Sequence, residues 1–540
     1  MRIKNKFLRT IVNLLITIVV GFIVFYTTLP AINLCAKEFY MYGITLCVIY
    51  MIASFFTAGM STYDVFGGIR QIFEGFKIPA IIICGIVVVM LLGGISSWTV
   101  FRAGSYRDLI DVKNGDFTED VSEISYDKIP MLDHDSAARL GDRKLGELSD
   151  MVSQFEVSNQ YTQINYKGTP VRVTPLMYGD LIKWLNNRKG GIPAYLTIDM
   201  TTQAVDVVRL PEGGGIKYSP FEHFGRKLER HLRFNYPTFM FSEENFEIDE
   251  EGVPYWVCPR LVKKIGLFGG TDIEGAVLVN ALTGESEYYK EVPTWVDRVY
   301  SSELIMEQYD YHGRFINGFI NSVFGQKGVT VTTSGYNYMT IDDDVYMYTG
   351  ITSVGSDQSN IGFLLSNQRT KETKYYVASG ATENSAMASA EGVVQHLQYK
   401  ATFPILLNIA SEPTYVMALK DNASLVKMYA MVNVAQYRIV ATGNSIAECE
   451  KQYTKLLKDN NMLDETMPAY GEKSGVITDI RSAVISGNTY YYIKLDEDKY
   501  YVASAAEFEN AVILNVGDSV GIKFEQGEGQ MLKITELLRG

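Results

Sequence analysis

Hydrophobic and polar positions divide the chain into two parts. Residues 1–100 are overwhelmingly apolar, whereas residues 101–540 have the mixed composition of a globular protein. The first part holds three uncharged stretches that are long enough to cross a bilayer as helices, at about 10–30, 39–60 and 78–100. Because two more spans follow the first, we interpret the first as a retained helix rather than a cleaved signal peptide. The sequence therefore predicts a membrane anchor of three helices.

The charges beside the spans predict the orientation. The first nine residues hold four Lys or Arg, and only Arg102 and Arg107 beyond the third span favour the opposite arrangement. Positive charge marks the cytoplasmic side, so the N-terminus is expected in the cytoplasm and residues 101–540 outside. The predicted spans contain no Asp, Glu, Lys, Arg or His, which argues against an ion path through this chain alone. For residues 61–76, two interpretations remain open: an amphipathic helix on the inner surface, or a short ordered loop.

Beyond residue 101 the pattern is typical of an α+β region. Residues 101–150 are polar and are interpreted as a connector, and 151–458 alternate short apolar runs with helical spacing. Residues 459–473 have the composition of a linker. Residues 474–540 contain four short alternating strands separated by turns, which predicts a small β-barrel of OB-like shape. Such a shape does not by itself specify a ligand.

A ten-residue pattern occurs twice in the α+β region. Residues 280–289 and 367–376 share Asn, Thr, Glu and a Tyr-Tyr pair at the same offsets, each after an apolar run. Asn and Thr favour a turn, and a Tyr pair suits the returning strand. The pattern predicts two related hairpins. A helix is expected after each, at 301–321 and at 383–397, the latter capped by Thr382.

An apolar strand, a turn of the type N-A-x-T-G-E and a second strand resemble PepSY-type domains, which are small α+β modules of the bacterial envelope and of protease propeptides. The resemblance covers 276–289 and, less closely, 363–376, where Lys371 stands in the place of Gly284. It implies two PepSY-like units within 151–458 and a binding or regulatory role rather than catalysis.

Charge and cysteine content exclude some classes of function. The net charge is −13 and no basic cluster with aromatics occurs, which argues against nucleic acid as a partner. Of five cysteines, Cys258 and Cys449 belong to the large polar region, and no zinc-binding spacing is present. Two isolated buried thiols are the favoured interpretation, with a disulfide between them as the alternative.

The motifs of common catalytic sites are missing from the sequence. The five histidines show no metal-ligand spacing, and no nucleophile or phosphate-loop motif occurs. The glycine-rich residues 266–275 are interpreted as a turn between strands. The run Asp342, Asp343 and Asp344 lacks the alternation of a calcium loop and is interpreted as a solvated turn. We therefore expect no catalytic residue, no cofactor and no metal.

Tyrosine pairs are the candidate binding surface. Alternate rings of a pair lie on opposite faces of a sheet, and Tyr rings make good contact surfaces. The alternative is that they simply fill half-buried strands. The candidate residues are Tyr288, Tyr289, Tyr375, Tyr376, Tyr500 and Tyr501.

These observations favour a non-enzymatic protein of a bacterial envelope, whose outer region binds, scaffolds or regulates a partner. The expected partners are the lipid bilayer and a protein or cell-wall component outside the membrane. One alternative is an envelope hydrolase, with Asp272 and Glu274 as candidate acids. Another is an accessory subunit of a transport or secretion complex, which would require the spans themselves.

Overall fold

The computed structural model describes residues 6–58, 65–121, 129–355, 359–462, 470–485, 488–495, 499–506, 508–525 and 531–539. The chain forms two compact units, Met1–Tyr453 and Thr454–Gly540. Three long apolar helices at the N-terminus precede a largely β-rich region that contains several sheets and a half-barrel. The prediction of an apolar helical part followed by a β-containing part is thus confirmed.

The three N-terminal helices are α1 (Lys6–Thr28), α2 (Lys37–Ala58) and α3 (Val65–Ser96). Each contains a segment that is long and apolar enough to cross a membrane, and in α3 this segment is Ile72–Ser96. The third span therefore ends four residues before the predicted boundary, because a turn after Ser96 starts a new helix, α4 (Thr99–Arg107). Residues 65–76 are helical and continue into α3, whereas 59–64 lie outside the described residues.

Helix α2 packs between α1 and α3. Asn13 of α1 is buried, and its Oδ1 accepts a hydrogen bond of 2.8 Å from Thr57 Oγ1 of α2. A polar side chain inside a bilayer needs such a partner, since lipid offers none.

The segment 101–150 packs against the β-rich region. After α4 come β1 (Val112–Asn114) and the short helix α5 (Phe117–Asp120). Strand β1 pairs in parallel with residues 373–375 of a later sheet. The next helix, α6 (His134–Gly146), begins after Asp133, which is its cap and accepts a hydrogen bond from the Ser136 N–H.

Within the described residues of Met1–Tyr453, four sheets share one order of five antiparallel strands, and β1 joins the third of them in parallel. We call each set of five strands with its preceding helix a module. Module 1 comprises α6, β2 (Phe155–Val157), β3 (Thr162–Tyr166), β4 (Thr169–Tyr178), α7 (Leu181–Asn187), β5 (Ala194–Asp199) and β6 (Val205–Arg209). Module 2 comprises α8 (Leu228–Asn235), β7 (Met240–Phe241), β8 (Asn245–Ile248), β9 (Pro254–Ile265), β10 (Gly269–Asn280) and β11 (Ser286–Tyr289).

Modules 3 and 4 follow the same order. Module 3 comprises α9 (Ser302–Arg314), α10 (Gly318–Ile320), β12 (Thr330–Thr332), β13 (Asn337–Ile341), β14 (Asp344–Ser353), β15 (Ser359–Asn367) and β16 (Thr373–Ala381). Module 4 comprises α11 (Glu383–Val393), β17 (Lys400–Ala401), β18 (Ile405–Ile409), β19 (Glu412–Lys420), β20 (Val426–Asn433) and β21 (Val440–Gly443). Helix α12 (Ile446–Asp459) comes next.

The pairing within the modules is the same in all four. The long strands β4, β9, β14 and β19 each pair first with the short strand just before them and then with an earlier short strand. Two further strands follow on the other side of each long strand, and in module 3 the parallel strand β1 extends the sheet by one more. The two hairpins predicted from the repeated pattern lie at equivalent places in modules 2 and 3.

The repeated pattern forms the same turn in both modules. Asn280 Oδ1 accepts hydrogen bonds from the N–H groups two and three residues later, at 2.9 and 3.0 Å, and Asn367 Oδ1 does the same at 2.9 and 2.9 Å. The fifth residue has a positive φ, +79° at Gly284 and +63° at Lys371. The departure from glycine at Lys371 therefore leaves the turn intact.

Module 1 contains a third copy of this turn, which the sequence pattern did not reveal. Asp199 Oδ1 accepts from the N–H groups of Thr201 and Thr202 at 2.8 and 2.9 Å, and Gln203 has a φ of +61°. An Asp replaces the Asn, and both oxygens serve the same purpose.

The unit Thr454–Gly540 contains a six-stranded half-barrel. Its strands are β22 (Tyr470–Val476), β23 (Asp479–Ile485), β24 (Asn488–Lys494), β25 (Tyr500–Ser504), β26 (Ser519–Glu525) and β27 (Met531–Arg539). They lie in the order β22-β26-β27-β25-β24-β23, with β25 and β27 parallel. Of the predicted linker, residues 463–469 lie outside the described residues.

Candidate functional site

All four modules contribute to a cavity of about 420 Å³ in the unit Met1–Tyr453. The cavity brings together residues that are up to 270 positions apart in sequence. Its lining residues are Asp133, His134, Asp135, Tyr161, Arg172, Ser242, Glu243, Asn245, Pro259, Arg298, Val299, Ser301, Glu303, Tyr336, Asn337, Tyr338 and Phe403.

Arg172 is the most deeply buried charge at this cavity. It lies in the otherwise apolar strand β4 and is 7% exposed. Its Nε donates to the Leu132 carbonyl at 3.3 Å, and among the described residues no carboxylate forms an ion pair with it. Burial, and to a lesser extent repulsion from Arg298, lower the pKa of Arg172 to about 10, although Tyr338 and the carboxylate of Asp133 partly offset this lowering. The guanidinium is therefore still charged at neutral pH, and a buried charge that no carboxylate contacts directly is costly.

Arg298 supplies a second guanidinium to the cavity. Its Nη2 donates to the Tyr338 hydroxyl at 2.8 Å, and the guanidinium lies 4.7 Å from the centre of the Tyr338 ring. Its Nε is buried and has no hydrogen-bond partner among the described residues. The backbone N–H of Arg298 donates to Glu247 at 2.9 Å, which fixes the base of the side chain. Two arginines with unused donors can hold an anionic group through charge-assisted hydrogen bonds.

Acidic side chains surround the two arginines, and two of them are already engaged. Asp133 caps α6 and forms an ion pair with Lys420. Glu303 accepts a hydrogen bond of 2.6 Å from the Tyr336 hydroxyl. With Asp135 and Glu243 also among the lining residues, the cavity would repel a polyanion. The arrangement suits a ligand that carries a single anionic group.

The two candidate acids of the hydrolase hypothesis are both engaged in ion pairs. Asp272 is buried and accepts from Lys371 at 2.7 Å, from Gln308 at 3.1 Å and from Lys264. Burial would raise the pKa of Asp272, but the hydrogen bonds from the two lysines outweigh it and lower the pKa below its usual value. Glu274 is half-exposed and pairs with Arg260 at 3.3 Å. Asp272 therefore does not resemble a general acid held protonated for catalysis.

The sequence predicts a solvated turn at Asp342, Asp343 and Asp344, but two of these carboxylates are engaged in contacts. Asp343 Oδ1 accepts from Asn165 Nδ2 of module 1 at 2.8 Å. Asp344 is largely buried in an ion pair with Arg369 at 2.6 Å. These two carboxylates stabilise contacts within and between modules. Among the described residues, no group of three His, Cys, Asp or Glu side chains is arranged to hold a metal ion.

A buried pair of carboxylates that sequence analysis missed links modules 1, 2 and 3. Glu247 accepts from the N–H groups of Asp297 and Arg298 at 2.8 and 2.9 Å, and Asp297 accepts from the Asn165 N–H at 2.6 Å. Burial raises the pKa of Glu247 to about 7. Burial, together with repulsion from Glu247, raises the pKa of Asp297 well above its usual value.

The tyrosine pairs are distributed over several cores rather than over one face. Tyr376 is buried, stacks on Phe363 and donates to Asp120 at 3.1 Å, and Tyr501 is buried against Phe524. The remaining four are half-buried, and their hydroxyls donate to other groups: Tyr288 to the Glu274 carbonyl, Tyr289 to Glu287, Tyr375 to the Ile361 carbonyl and Tyr500 to Asp479. In the pairs Tyr375–Tyr376 and Tyr500–Tyr501, one ring is therefore buried in a core.

The cysteines of the polar region match the favoured interpretation. Cys258 in β9 and Cys449 in α12 are both buried and both free.

Sequence analysis also missed Arg172 and Arg298. The one available signal is that Arg172 is a lone charge in the run V-R-V-T-P-L-M, where a strand position flanked by valines is expected to be buried. Arg298 lies in a loop and carries no comparable signal. Comparison with known proteins finds no matching family model and no matching curated protein.

Proposed function

We propose that this chain is a membrane-anchored, non-enzymatic protein of a bacterial envelope, which binds an anionic group of a ligand or partner in the Arg172–Arg298 cavity. The observation that supports this most directly is the burial of Arg172 with no carboxylate in ion-pair contact among the described residues. A protein that only needed stability would gain from an apolar residue at this position, so a retained unpaired charge favours a role in binding.

The proposal is tested on the full-length protein in lipid nanodiscs. Acetate or phosphate, each with a single anionic group, replaces chloride at constant ionic strength, and the thermal unfolding midpoint is recorded for the wild type, Arg172→Gln and Arg209→Gln. Arg209 is the matched control, because it belongs to module 1 but is exposed and pairs with Asp150 at 2.7 Å. A ligand that binds the folded state raises the midpoint.

We expect the anions to raise the midpoint of the wild type and of Arg209→Gln but not that of Arg172→Gln. An equal rise in all three proteins would contradict the proposal, as would no rise in the wild type.

We further propose that the N-terminus is cytoplasmic, that residues 101–540 lie outside, and that the partner is a protein or cell-wall component. The four positive charges among the first nine residues support this orientation. An epitope tag after Gly540 tests it: protease added to intact cells should remove the tag without lysis. A tag protected until lysis, in cells whose envelope admits the protease, would reverse the orientation.

Two finer structural proposals accompany this function. We propose that Thr454–Gly540 is an OB-like barrel. One support is the parallel pair β25–β27. A second is that β22 and β23 are two residues apart in sequence yet lie at opposite ends of the strand order. We also propose that modules 2 and 3 are PepSY-like units, supported by their shared Asn turns.

An accessory subunit of a transport or secretion complex is the second candidate, because the residues that directly follow the first and third spans contact module 2. Ser97 Oγ accepts from the Phe268 N–H at 2.9 Å, and Arg233 Nε donates to the Leu29 carbonyl at 2.9 Å. Such contacts could transmit a change between membrane and β-rich region. Replacing residues 1–96 with an unrelated anchor should abolish an accessory function, whereas a pure binding protein should keep its function.

A further inference from the structure

Large apolar side chains of the β-rich region are exposed close to the point where α3 ends. Trp98 and Phe101 of the α4 segment are exposed, and so are Ile320, Val323 and Phe324 in and after α10. Ile320 is 75% exposed and Phe324 is 85% exposed. We call these five residues the α4–α10 surface. Clustered exposed aromatic and aliphatic side chains of this size mark a contact surface rather than ordinary surface composition.

The α4–α10 surface is fixed to the end of the third span. Helix α4 begins two residues after Ser97, and Tyr106 near its end donates to the Ser97 carbonyl at 2.7 Å. Helix α10 contacts α4, and Phe319 packs with Tyr106 and Phe315 in a small core. The inward side of these short helices is therefore packed, and the outward side chains remain exposed.

A second apolar surface lies close to the end of α1. Phe234 of α8 is half-exposed and packs against Phe25 and Tyr26 of α1, with ring centres 5.9 and 6.2 Å apart. Arg230 joins this region to Phe224, since its Nη1 donates to the Phe224 carbonyl at 2.7 Å while its guanidinium lies 3.9 Å from the Tyr26 ring centre. The exposed members of this α7–α8 surface are Leu181, Ile182, Leu185, Phe224 and Phe234.

We propose that both surfaces insert into the interfacial layer of the bilayer, so that the β-rich region lies against lipid beside its own spans. Each surface is continuous with the end of a span, on the side from which the β-rich region leaves the membrane. Trp98 occupies the position where aromatic residues are enriched at membrane boundaries. The exposed Arg102 and Lys327 next to the α4–α10 surface complement anionic headgroups.

Site-specific photocrosslinking of the full-length protein in proteoliposomes tests the proposal. The photoreactive residue p-benzoylphenylalanine replaces Phe324, Phe224 or Val377 in separate variants, and adducts are identified by mass spectrometry. Val377 in β16 is the matched control, since it is 78% exposed and belongs to the same unit but to neither surface. The same replacement at Phe22, exposed in the middle of α1, is the positive control.

We expect lipid adducts at positions 324 and 224, as at position 22, and none at 377. An adduct between two copies of the chain at 324, or the absence of lipid adducts at 324 and 224 while 22 gives them, would overturn the proposal. Because the crosslink depends only on contact with lipid, this result is independent of ligand binding in the arginine cavity.

Discussion

The buried cations Lys371 and Arg172 have opposite surroundings, and the difference distinguishes a structural role from a binding role. Lys371 is 15% exposed, and its ammonium is surrounded by Asp272, Gln308 and the Leu109 carbonyl. Arg172 is buried as deeply, but its hydrogen-bond partner among the described residues is the Leu132 carbonyl. A fully bonded buried cation contributes to the fold, whereas an incompletely bonded one is available to a ligand.

Replacing Asp272 with Asn should destabilise the protein by about 3 kcal/mol, because it leaves the Lys371 ammonium buried without its counter-charge. Urea titration of the full-length protein in detergent, followed by far-UV circular dichroism, measures the change. The double variant Asp272→Asn/Lys371→Met should recover part of this loss, since the isolated charge is then removed as well.

Glu274→Gln is the matched control, because its ion pair with Arg260 is largely solvated and should contribute below ~1 kcal/mol. This pair of variants also addresses the hydrolase alternative. If Asp272→Asn left stability unchanged, the structural role of Asp272 would be refuted and a catalytic one would regain support.

At the scale of elements, the hairpin turn is the feature that the sequence and the structure share most closely. An Asn or Asp oxygen accepts two successive N–H groups, and the fifth residue takes a positive φ. Glycine adopts that φ without strain, while Lys371 and Gln203 adopt it at a small cost. The turn therefore tolerates substitution at the position where a glycine would have been the clearest sequence signal.

Replacing Gly284 with Ala should cost more than the same change at Gly168, although both residues have φ near +78°. At Gly284 an added Cβ would lie 2.3 Å from the Tyr218 ring, whereas at Gly168 it would meet open space. We expect a loss of about 1 kcal/mol at Gly168 from backbone strain and about 1–3 kcal/mol more at Gly284 from overpacking. Urea titration of both variants gives the difference, and equal losses would show that Tyr218 can move aside.

The elements that could be predicted from the sequence are those with a local sequence pattern. The three apolar helices, the hairpins at 276–289 and 363–376, and the Thr382 cap each depend on a continuous pattern, and each is present. The common strand order of four modules was out of reach. The common strand order is visible only in how the long strands β4, β9, β14 and β19 pair with short strands. The sequences of these long strands share no fixed pattern.

At the scale of the whole molecule, the arginine cavity could not be predicted because four modules create it. Arg172 comes from module 1, Pro259 from module 2, Tyr338 from module 3 and Phe403 lies beside module 4. No spacing rule relates such positions; only the packing of the modules does. The contacts that fix this packing include the buried carboxylates Glu247 and Asp297 at the junction of modules 1, 2 and 3.

These carboxylates should make the packing of the modules depend on pH. The pKa of Glu247 is raised from 4.5 to about 7, and that of Asp297 is raised as well. Between pH 4.5 and about 7, the unfolded chain has released protons that the folded chain still holds. The free energy of unfolding should therefore fall as pH rises, by about 1.4 kcal/mol per pH unit for each such proton. Below pH 4.5 this contribution is fully present.

The variant Asp297→Asn isolates the effect, because its amide oxygen can still accept from the Asn165 N–H while one titrating group and the repulsion on Glu247 are removed. We expect a flatter decline than in the wild type and a more stable protein at neutral pH. Glu244, whose pKa burial also raises to about 7, remains in both proteins and so cancels in the comparison. Thermal unfolding in nanodiscs from pH 4.5 to 7 measures both slopes. Identical slopes in the wild type and the variant would mean that Glu247 and Asp297 are ionised in the folded protein. Their burial would then not control how the modules pack.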